Sequence, residues 1–311
     1  MKRVFLITLA FVNSCLFAQH LPDSLRHWHR GGAVGLNFTQ TSFTNWATGG
    51  ENSVSGQGLL GLFVNYKKDS TSWDNSVDFA YGVLHQGKDK FTKKTDDKID
   101  FTSKYGRYAF KKVWYYTALF SFKTQSSPGY IYSDDTSKTV ISDFMAPGYT
   151  LLALGLDYKP NKTVSVFFAP FTGKTTYVLN QTLADAGAFG VDKAIFDNAG
   201  IKTKDGQNIR NEFGGYVRFQ YKAEVMTNIT LNARCELFSN YLKDPQNIDV
   251  NAEIILNMKV NKYFSANLNI QGVYDTDVLI AVDRNHDGIL DGVGPRFQLR
   301  QVLGVGFSAK F

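Results

Sequence analysis

Between Ile248 and Val260 the chain alternates strictly enough to dictate its own geometry. Ile248, Val250, Ala252, Ile254, Leu256, Met258 and Val260 are interleaved with Asp249, Asn251, Glu253, Asn257 and Lys259. Successive side chains of an extended strand point to opposite faces, so this run has one face for an apolar medium and one for water. The pattern recurs in Trp73, Val77, Phe79, Tyr81 and Val83 against Asp74, Ser76 and Asp78, and in Ile229, Leu231, Ala233, Cys235 and Leu237 against Thr230, Asn232, Arg234 and Glu236. It also ends the chain, where Leu303, Val305, Phe307, Ala309 and Phe311 alternate with Gly304, Gly306, Ser308 and Lys310. One such strand fits a soluble sheet; a chain made of them, closing on a terminal Phe, fits strands whose outer face lies in lipid.

Period-two runs fall near residues 33–41, 52–66, 72–86, 98–110, 113–125, 148–158, 163–172, 211–222, 227–240, 248–260, 263–274 and 296–311. Each is long enough for the roughly nine to eleven tilted residues that cross a bilayer. The joints between them alternate in length. Lys67–Thr71, Lys111–Lys112, Lys159–Lys162, Ala223–Met226 and Asn261–Lys262 are short; Ser42–Glu51, Gly87–Asp97, Ser126–Pro147, Gly173–Arg210, Tyr241–Asn247 and Asp275–Pro295 are long. Short turns on the periplasmic side, long loops outside and an even strand count are the rule for bacterial single-chain barrels. Trp73, Trp114, Tyr115 and Tyr158 stand beside the short turns, where a lower aromatic girdle is expected. The fold expected is all-β: a transmembrane antiparallel up-and-down β-barrel of twelve strands, with ten and fourteen as the neighbouring counts. The rival is a soluble lipocalin-like barrel or sandwich.

The N-terminus suits export. Met1-Lys2-Arg3 and the apolar run Val4–Val12 form the charged and hydrophobic regions of a secretory signal, too short to span a bilayer as a helix. Cleavage after Ala18 divides the chain into a signal (1–18), a periplasmic segment (19–32) and a barrel (33–311). The alternative is a lipoprotein signal at Cys15, for which Asn13 fits poorly. With Cys15 removed, Cys235 stands alone and no internal disulfide forms. Mean hydropathy is −0.22, and beyond the signal no run of eighteen apolar residues exists, so a helical membrane protein is excluded. Aromatic residues make up 14% of the chain, alongside 27 Gly. That mixture suits girdles and tight turns. The net charge of +6 is scattered over turns and lumen-phase positions, not gathered on one face, which argues against nucleic acid as a partner.

The segments Asn45–Asn52 (NWATGGEN), Lys94–Asp100 (KTDDKID), Leu183–Asp192 (LADAGAFGVD) and Phe238–Val250 (FSNYLKDPQNIDV) resemble those of a family catalogued as domain of unknown function 3078. That resemblance covers nearly the whole mature chain and implies an outer-membrane barrel in contact with lipid. It carries no activity.

The sharpest chemical motif is Asp283-Arg284-Asn285-His286-Asp287-Gly288-Ile289-Leu290-Asp291, with oxygen ligands at positions one, three, five and nine of a calcium loop. Gly288 supplies the sharp turn and the Ile289 carbonyl the seventh position. Position twelve is Gly294 instead of the bidentate Glu, so the shell is incomplete. Asx-rich hairpin turns have the same composition without a metal. The expectation is a Ca2+ held by Asp283, Asn285, Asp287, Ile289 and Asp291 that stiffens the last external loop.

Lumen-phase charges are Asp74, Asp78, Asp100, Lys104, Lys123, Asp157, Arg218, Arg234, Glu236, Glu253, Lys259, Arg300 and Lys310. Such mixtures either line a narrow channel or pair off across a filled interior. Phe63, Tyr108, Tyr115, Phe167, Tyr216 and Phe238 share the phase and argue for a partly filled bore. The apolar stretch Leu183–Ile195 inside its long loop is expected to fold inward or pack on neighbouring loops, and Ser126–Pro147 to form a solvated hairpin or a ligand-contact loop. The leading functional reading is a narrow or gated channel for small polar solutes. A non-conducting adaptor docking other outer-membrane proteins is the alternative. A barrel-wall lipid hydrolase is disfavoured, because His85 is the only strand-borne His at an interface and no G-x-S-x-G elbow occurs.

Overall fold

The computed structural model describes residues 27–42, 51–87, 91–132, 137–261, 263–282 and 292–311. Twelve long strands close on themselves: β1 (Trp28–Thr41), β2 (Ser53–Lys68), β3 (Thr71–Gln86), β4 (Lys93–Phe110), β5 (Trp114–Thr124), β8 (Gly148–Tyr158), β9 (Val164–Tyr177), β12 (Ile209–Met226), β13 (Ile229–Asn240), β14 (Ile248–Lys259), β15 (Phe264–Tyr274) and β18 (Gln298–Lys310). Each pairs antiparallel with its neighbours in that order, and β18 returns to β1. Three two-stranded hairpins ride on the long loops: β6–β7 (Gly129–Tyr132, Lys138–Ser142), β10–β11 (Ile195–Phe196, Lys202–Lys204) and β16–β17 (Leu279–Val282, Gly292–Pro295). Among the described residues no helix is long and apolar enough to cross a membrane.

Alternation decides which way each strand faces. Asp100, Thr102 and Lys104 of β4 are buried inside, whereas Tyr105, Tyr116, Phe168, Phe219 and Phe307 are exposed outside. An apolar exterior over a polar interior is the reverse of a soluble protein. The short joints are tight turns in which Asp69, Lys111, Lys112 and Asn228 take positive φ, the hand that matches strand twist. Glycine is required at two bulges: a Cβ on Gly155 would strike the Phe168 carbonyl, and one on Gly214 the Ser239 carbonyl. Aromatic rings gather on the outside at the short-turn end, with Trp28 4.9 Å from Tyr66 and 6.0 Å from Trp73, and Trp114 5.5 Å from Phe110 and 4.8 Å from Tyr158. Tyr115 is not part of this girdle. It faces the bore and packs against Tyr108 at 4.7 Å, because Thr117 and Leu119 on the same phase are buried inside.

Four strand limits in particular differ from the sequence expectation. The barrel begins at Trp28, not residue 33, because Trp28 to Gly32 continue the register with β2 from Trp28↔Tyr66 onward; Gly31 and Gly32, lacking side chains, conceal the alternation. The strands β9 and β12 run on to Tyr177↔Ile209, and β4 starts at Lys93, so the wall rises further on this side than the apolar runs indicate.

Candidate functional site in the barrel bore

Period two sends Lys98 and Asp100 of β4, Lys123 of β5, Tyr216 and Arg218 of β12, Arg234 and Glu236 of β13 and Glu253 of β14 into one interior. Lys98 Nζ lies 3.3 Å from Glu253 Oε1 and 3.7 Å from Asp100 Oδ2. Arg234 Nη2 donates to Glu253 Oε2 at 2.8 Å and lies 3.4 Å from Asp100 Oδ2. These links join β4 to β13 and β14, which are not neighbours in the wall, so they cross the bore. Glu236 gathers Lys123 Nζ at 2.8 Å, Tyr216 OH at 2.9 Å and Asn251 Nδ2 at 3.1 Å, with Arg218 Nε at 3.8 Å. Lower down, Lys104 Nζ lies 2.7 Å from Asp157 Oδ2, and Ser165 donates to Oδ1 at 2.7 Å. Above, Lys174 Nζ meets Asp249 at 2.7 Å and Glu212 at 3.4 Å, and Arg210 pairs with Glu212 and Asp277. Asp157 is fully buried and Asp100 2% exposed. Charges so enclosed are tolerated only when paired and hydrogen-bonded.

The plane is supported from one side. Leu119, Ala153, Phe167, Ala169, Tyr216 and Phe238 form an apolar cluster inside β5, β8, β9, β12 and β13. The opposite wall, β18–β1–β2–β3, presents small residues inward: Gly304, Gly306, Gly35, Gly61, Ser76 and Ala80. There Asp78, across the register from both Gly61 and Asp100, remains exposed within the bore. Apolar side chains fill the bore on the first side, and on the second Asp78 keeps an exposed carboxylate beside Leu59 and Phe63.

Above the ion pairs lies a cavity of about 560 Å3, whose lining includes Lys98, Lys123, Tyr149, Phe238 and Arg300, with Phe189 and Val278 from the loops. Phe189 belongs to the long loop between β9 and β12. Asn180 caps the short helix α1 (Gln181–Asp185), its Oδ1 accepting from the amides of Thr182 and Leu183, as an N-cap side chain should. Val178, Leu183, Ala184 and Val191 then bury against Ala146 of the neighbouring loop. The apolar stretch thus packs on its neighbour and lends Phe189 to the mouth. At its edge the Asp185 carboxyl is held down at about 2, first by Lys202 at 2.8 Å, then by Gln181 and the Gly206 amide. A depressed carboxyl stabilises the loop fully above its ordinary value of 3.8, and that contribution fades as pH falls towards about 2, by proton linkage. NMR titration of the Asp185 carboxyl is expected to give a midpoint well below 3.8, and a higher one, still under 3.8 because Gln181 and the Gly206 amide remain, in Lys202→Ala.

Of the lumen residues read from sequence, Asp74, Asp78, Asp100, Lys104, Arg218, Arg234, Glu236, Glu253 and Arg300 face the bore. Lys259 does not join the network: it keeps the inward phase but stands exposed at the periplasmic end of β14, opposite Ser265. Sequence reading missed Asp96 and Lys98, which precede Asp100 on the same phase, and Lys174 and Glu212; it put Asp249 on the aqueous phase but not among the lumen charges. Lys174 was hidden because β9 was expected to stop at residue 172. His85 sits at the extracellular end of β3 opposite Val54. Asp283, Asn285, Asp287, Ile289 and Asp291 lie outside the described residues; the hairpin arms on either side pair at Val282↔Gly292, and Gly294 pairs with Ile280.

A closed wall with an apolar outside, a girdle at the short-turn end and a charged inside has only one fitting solvent. The chain is an outer-membrane β-barrel. The model of a family described as a protein of unknown function (DUF3078) matches residues 38–130. That span holds Asn45–Asn52 and Lys94–Asp100 but not Leu183–Asp192 or Phe238–Val250, so the match is narrower than those four segments suggest. None of the curated proteins matches the chain. Similar solved structures include the translocator domain of the autotransporter NalP from Neisseria meningitidis (12% identity, TM-score 0.39, covering 98% of this chain and 95% of that one). The COG4313 outer membrane channel from Pseudomonas putida F1 is similar at 11% identity and TM-score 0.38, covering 94% of this chain and all of that one. The NanC porin is similar at 8% identity and TM-score 0.34, over 89% and 98% of the two chains.

Proposed function

We propose that the barrel is a narrow channel for small polar solutes, with its path along the small-residue wall beside the ion-pair plane. The observation that carries this reading is Asp78, a carboxylate exposed in the bore one strand away from Asp100, which is 2% exposed and locked between Lys98 and Arg234. The carboxylate on one side of the plane is exposed and the one on the other is enclosed. A pore of this kind passes small solutes and is selective by charge, because the path runs past a fixed carboxylate at close range. Further out, Arg300 Nη2 binds Asp96 at 2.6 Å, and the Asn37–Gln57–Asp96 chain (2.9 and 2.7 Å) narrows the same side. The loop Asp283–Asp291 is proposed to hold Ca2+ and stiffen the last external loop. Its oxygens need completion from outside the motif, because Gly294 is engaged in a hairpin arm.

Refolded protein in a planar bilayer is expected to show small discrete ohmic steps with a preference for cations. Asp78→Asn should lower that preference while preserving the steps. Calcium binding by titration calorimetry should disappear in Asp283→Ala/Asp287→Ala. A folded but electrically silent barrel sinks the channel reading, and binding unchanged in the double variant sinks the calcium site.

A further inference from the structure

We propose that the upper half of the β1–β18 seam is a lateral portal through which a single-chain amphiphile of the outer leaflet enters the cavity above the ion-pair plane. The proposal rests on reading the bore as a small-molecule path, and it adds a second route and a second class of solute.

Every other seam of the barrel pairs over ten positions or more. Between β1 and β18 the register covers five, Ala33↔Lys310 to Asn37↔Gly306, with Gly32 and Phe311 exchanging backbone hydrogen bonds just below. Above Asn37↔Gly306 the strands part company. Among the described residues, Gln298–Val305 of β18 pair with β15 alone, and Phe38–Thr41 of β1 with β2 alone. Peptide groups left unpaired in hydrocarbon are costly, so an open edge at this height must meet water or polar groups.

The side chains around the gap supply such groups. Gln40 and Gln301 sit on the outward, lipid-facing phase of the two strands and are exposed, beside the apolar Phe38 and Leu303, which are 64% and 69% exposed. On the inside, the chain Asn37–Gln57–Asp96–Arg300 links β1 to β18 by way of β2 and β4, through side-chain bonds that open one at a time. Directly behind it lies the cavity of about 560 Å3, to whose wall β18 itself gives Gln298 and Arg300. That volume is in the range of about 300–1,000 Å3 typical of small-molecule sites. Its surface is split: Arg300 of β18, with Asp96 of β4 against it, suits a polar head, and Leu151, Phe238 and Val273 suit one chain. A two-tailed lipid is too large for it.

The test uses the full chain with Cys15 and Cys235 replaced by Ala, reconstituted in liposomes. Thr41→Cys with Val302→Cys places thiols where a continued register would oppose them, and Gly35→Cys with Ser308→Cys does so in the paired half. Oxidation is expected to join the lower pair rapidly and the upper pair at least tenfold more slowly; equal rates would show a closed seam and overturn the proposal. A photoreactive fatty acid carrying a diazirine in its chain is then expected to label Phe238 and Val273, and to stop doing so when a bifunctional maleimide bridges Thr41→Cys and Val302→Cys. Label confined to Leu299 and Leu303 on the outside, or a partner's β-strand captured at the seam, would also overturn it. The two readings fail separately. Silent bilayers with Phe238 labelled remove the channel and leave the portal, and ohmic steps without interior label do the reverse.

Discussion

Arg234→Ala is expected to both enlarge the conductance steps and weaken the barrel. Arg234 is the cation that holds Glu253 at 2.8 Å and Asp100 at 3.4 Å across the bore, and it lies 4.0 Å from Glu236. Its removal takes a guanidinium out of the plane and leaves Asp100 and Glu253 with Lys98 as their shared cation. Two nearby carboxylates then repel, and water enters to solvate them. Breaking one side of a buried ion pair costs about 3–5 kcal/mol in soluble proteins, and hydration from the Asp78 side of this bore places the loss near the lower figure. Urea unfolding followed by heat-modifiable gel mobility measures the loss, and bilayer recordings measure the steps. Arg234→Lys keeps the charge but loses the planar fork that reaches two carboxylates, so it should fall between the native and Ala forms. Native conductance and native stability in Arg234→Ala would show that the plane neither blocks the bore nor braces it.

The second large effect belongs to Lys104 and Asp157, paired at 2.7 Å with side chains 8% and 0% exposed. Lys104→Met leaves a fully enclosed carboxylate facing Lys159 at 3.3 Å, and Asp157→Asn leaves an enclosed ammonium. Each single change is expected to cost about 3 kcal/mol, because the surviving charge loses the partner that compensated its desolvation. The double variant Lys104→Met/Asp157→Asn buries no charge at this spot and keeps an acceptor for Ser165. It should lie within about 1 kcal/mol of the native barrel, giving a coupling energy of several kcal/mol in a double-mutant cycle. Additive losses would show that the two residues act independently, against the geometry.

Much of this was legible along the chain because a strand's side-chain phase is local. Asp100 and Lys104, Arg234 and Glu236 announce their common face by spacing alone, and the short turns at Asp69–Ser70 and Lys111–Val113 separate strands whose apolar phases continue on either side. The failures have physical causes too. Gly31 and Gly32 carry no side chain to report a phase, so the start of β1 was invisible. Lys174 lies where β9 rises above the apolar belt and both faces turn polar, which reads as loop. Tyr115 satisfies two patterns, a girdle position by its place beside a turn and a lumen position by its phase, and packing with Tyr108 chose the second.

The sequence by itself determined the class of solvent on each face and the end at which the short turns gather, and narrowed the crossings to an even count near twelve, since these follow from period two and from joint length. It did not determine which charges meet. Lys98 and Glu253 are 155 residues apart, Asp100 and Arg234 134, and Lys123 and Glu236 113. Closure, tilt and stagger bring them to one height, and these are properties of the completed ring. The short β1–β18 ladder is likewise a property of closure, because where the last strand meets the first depends on the register accumulated through the eleven seams before it.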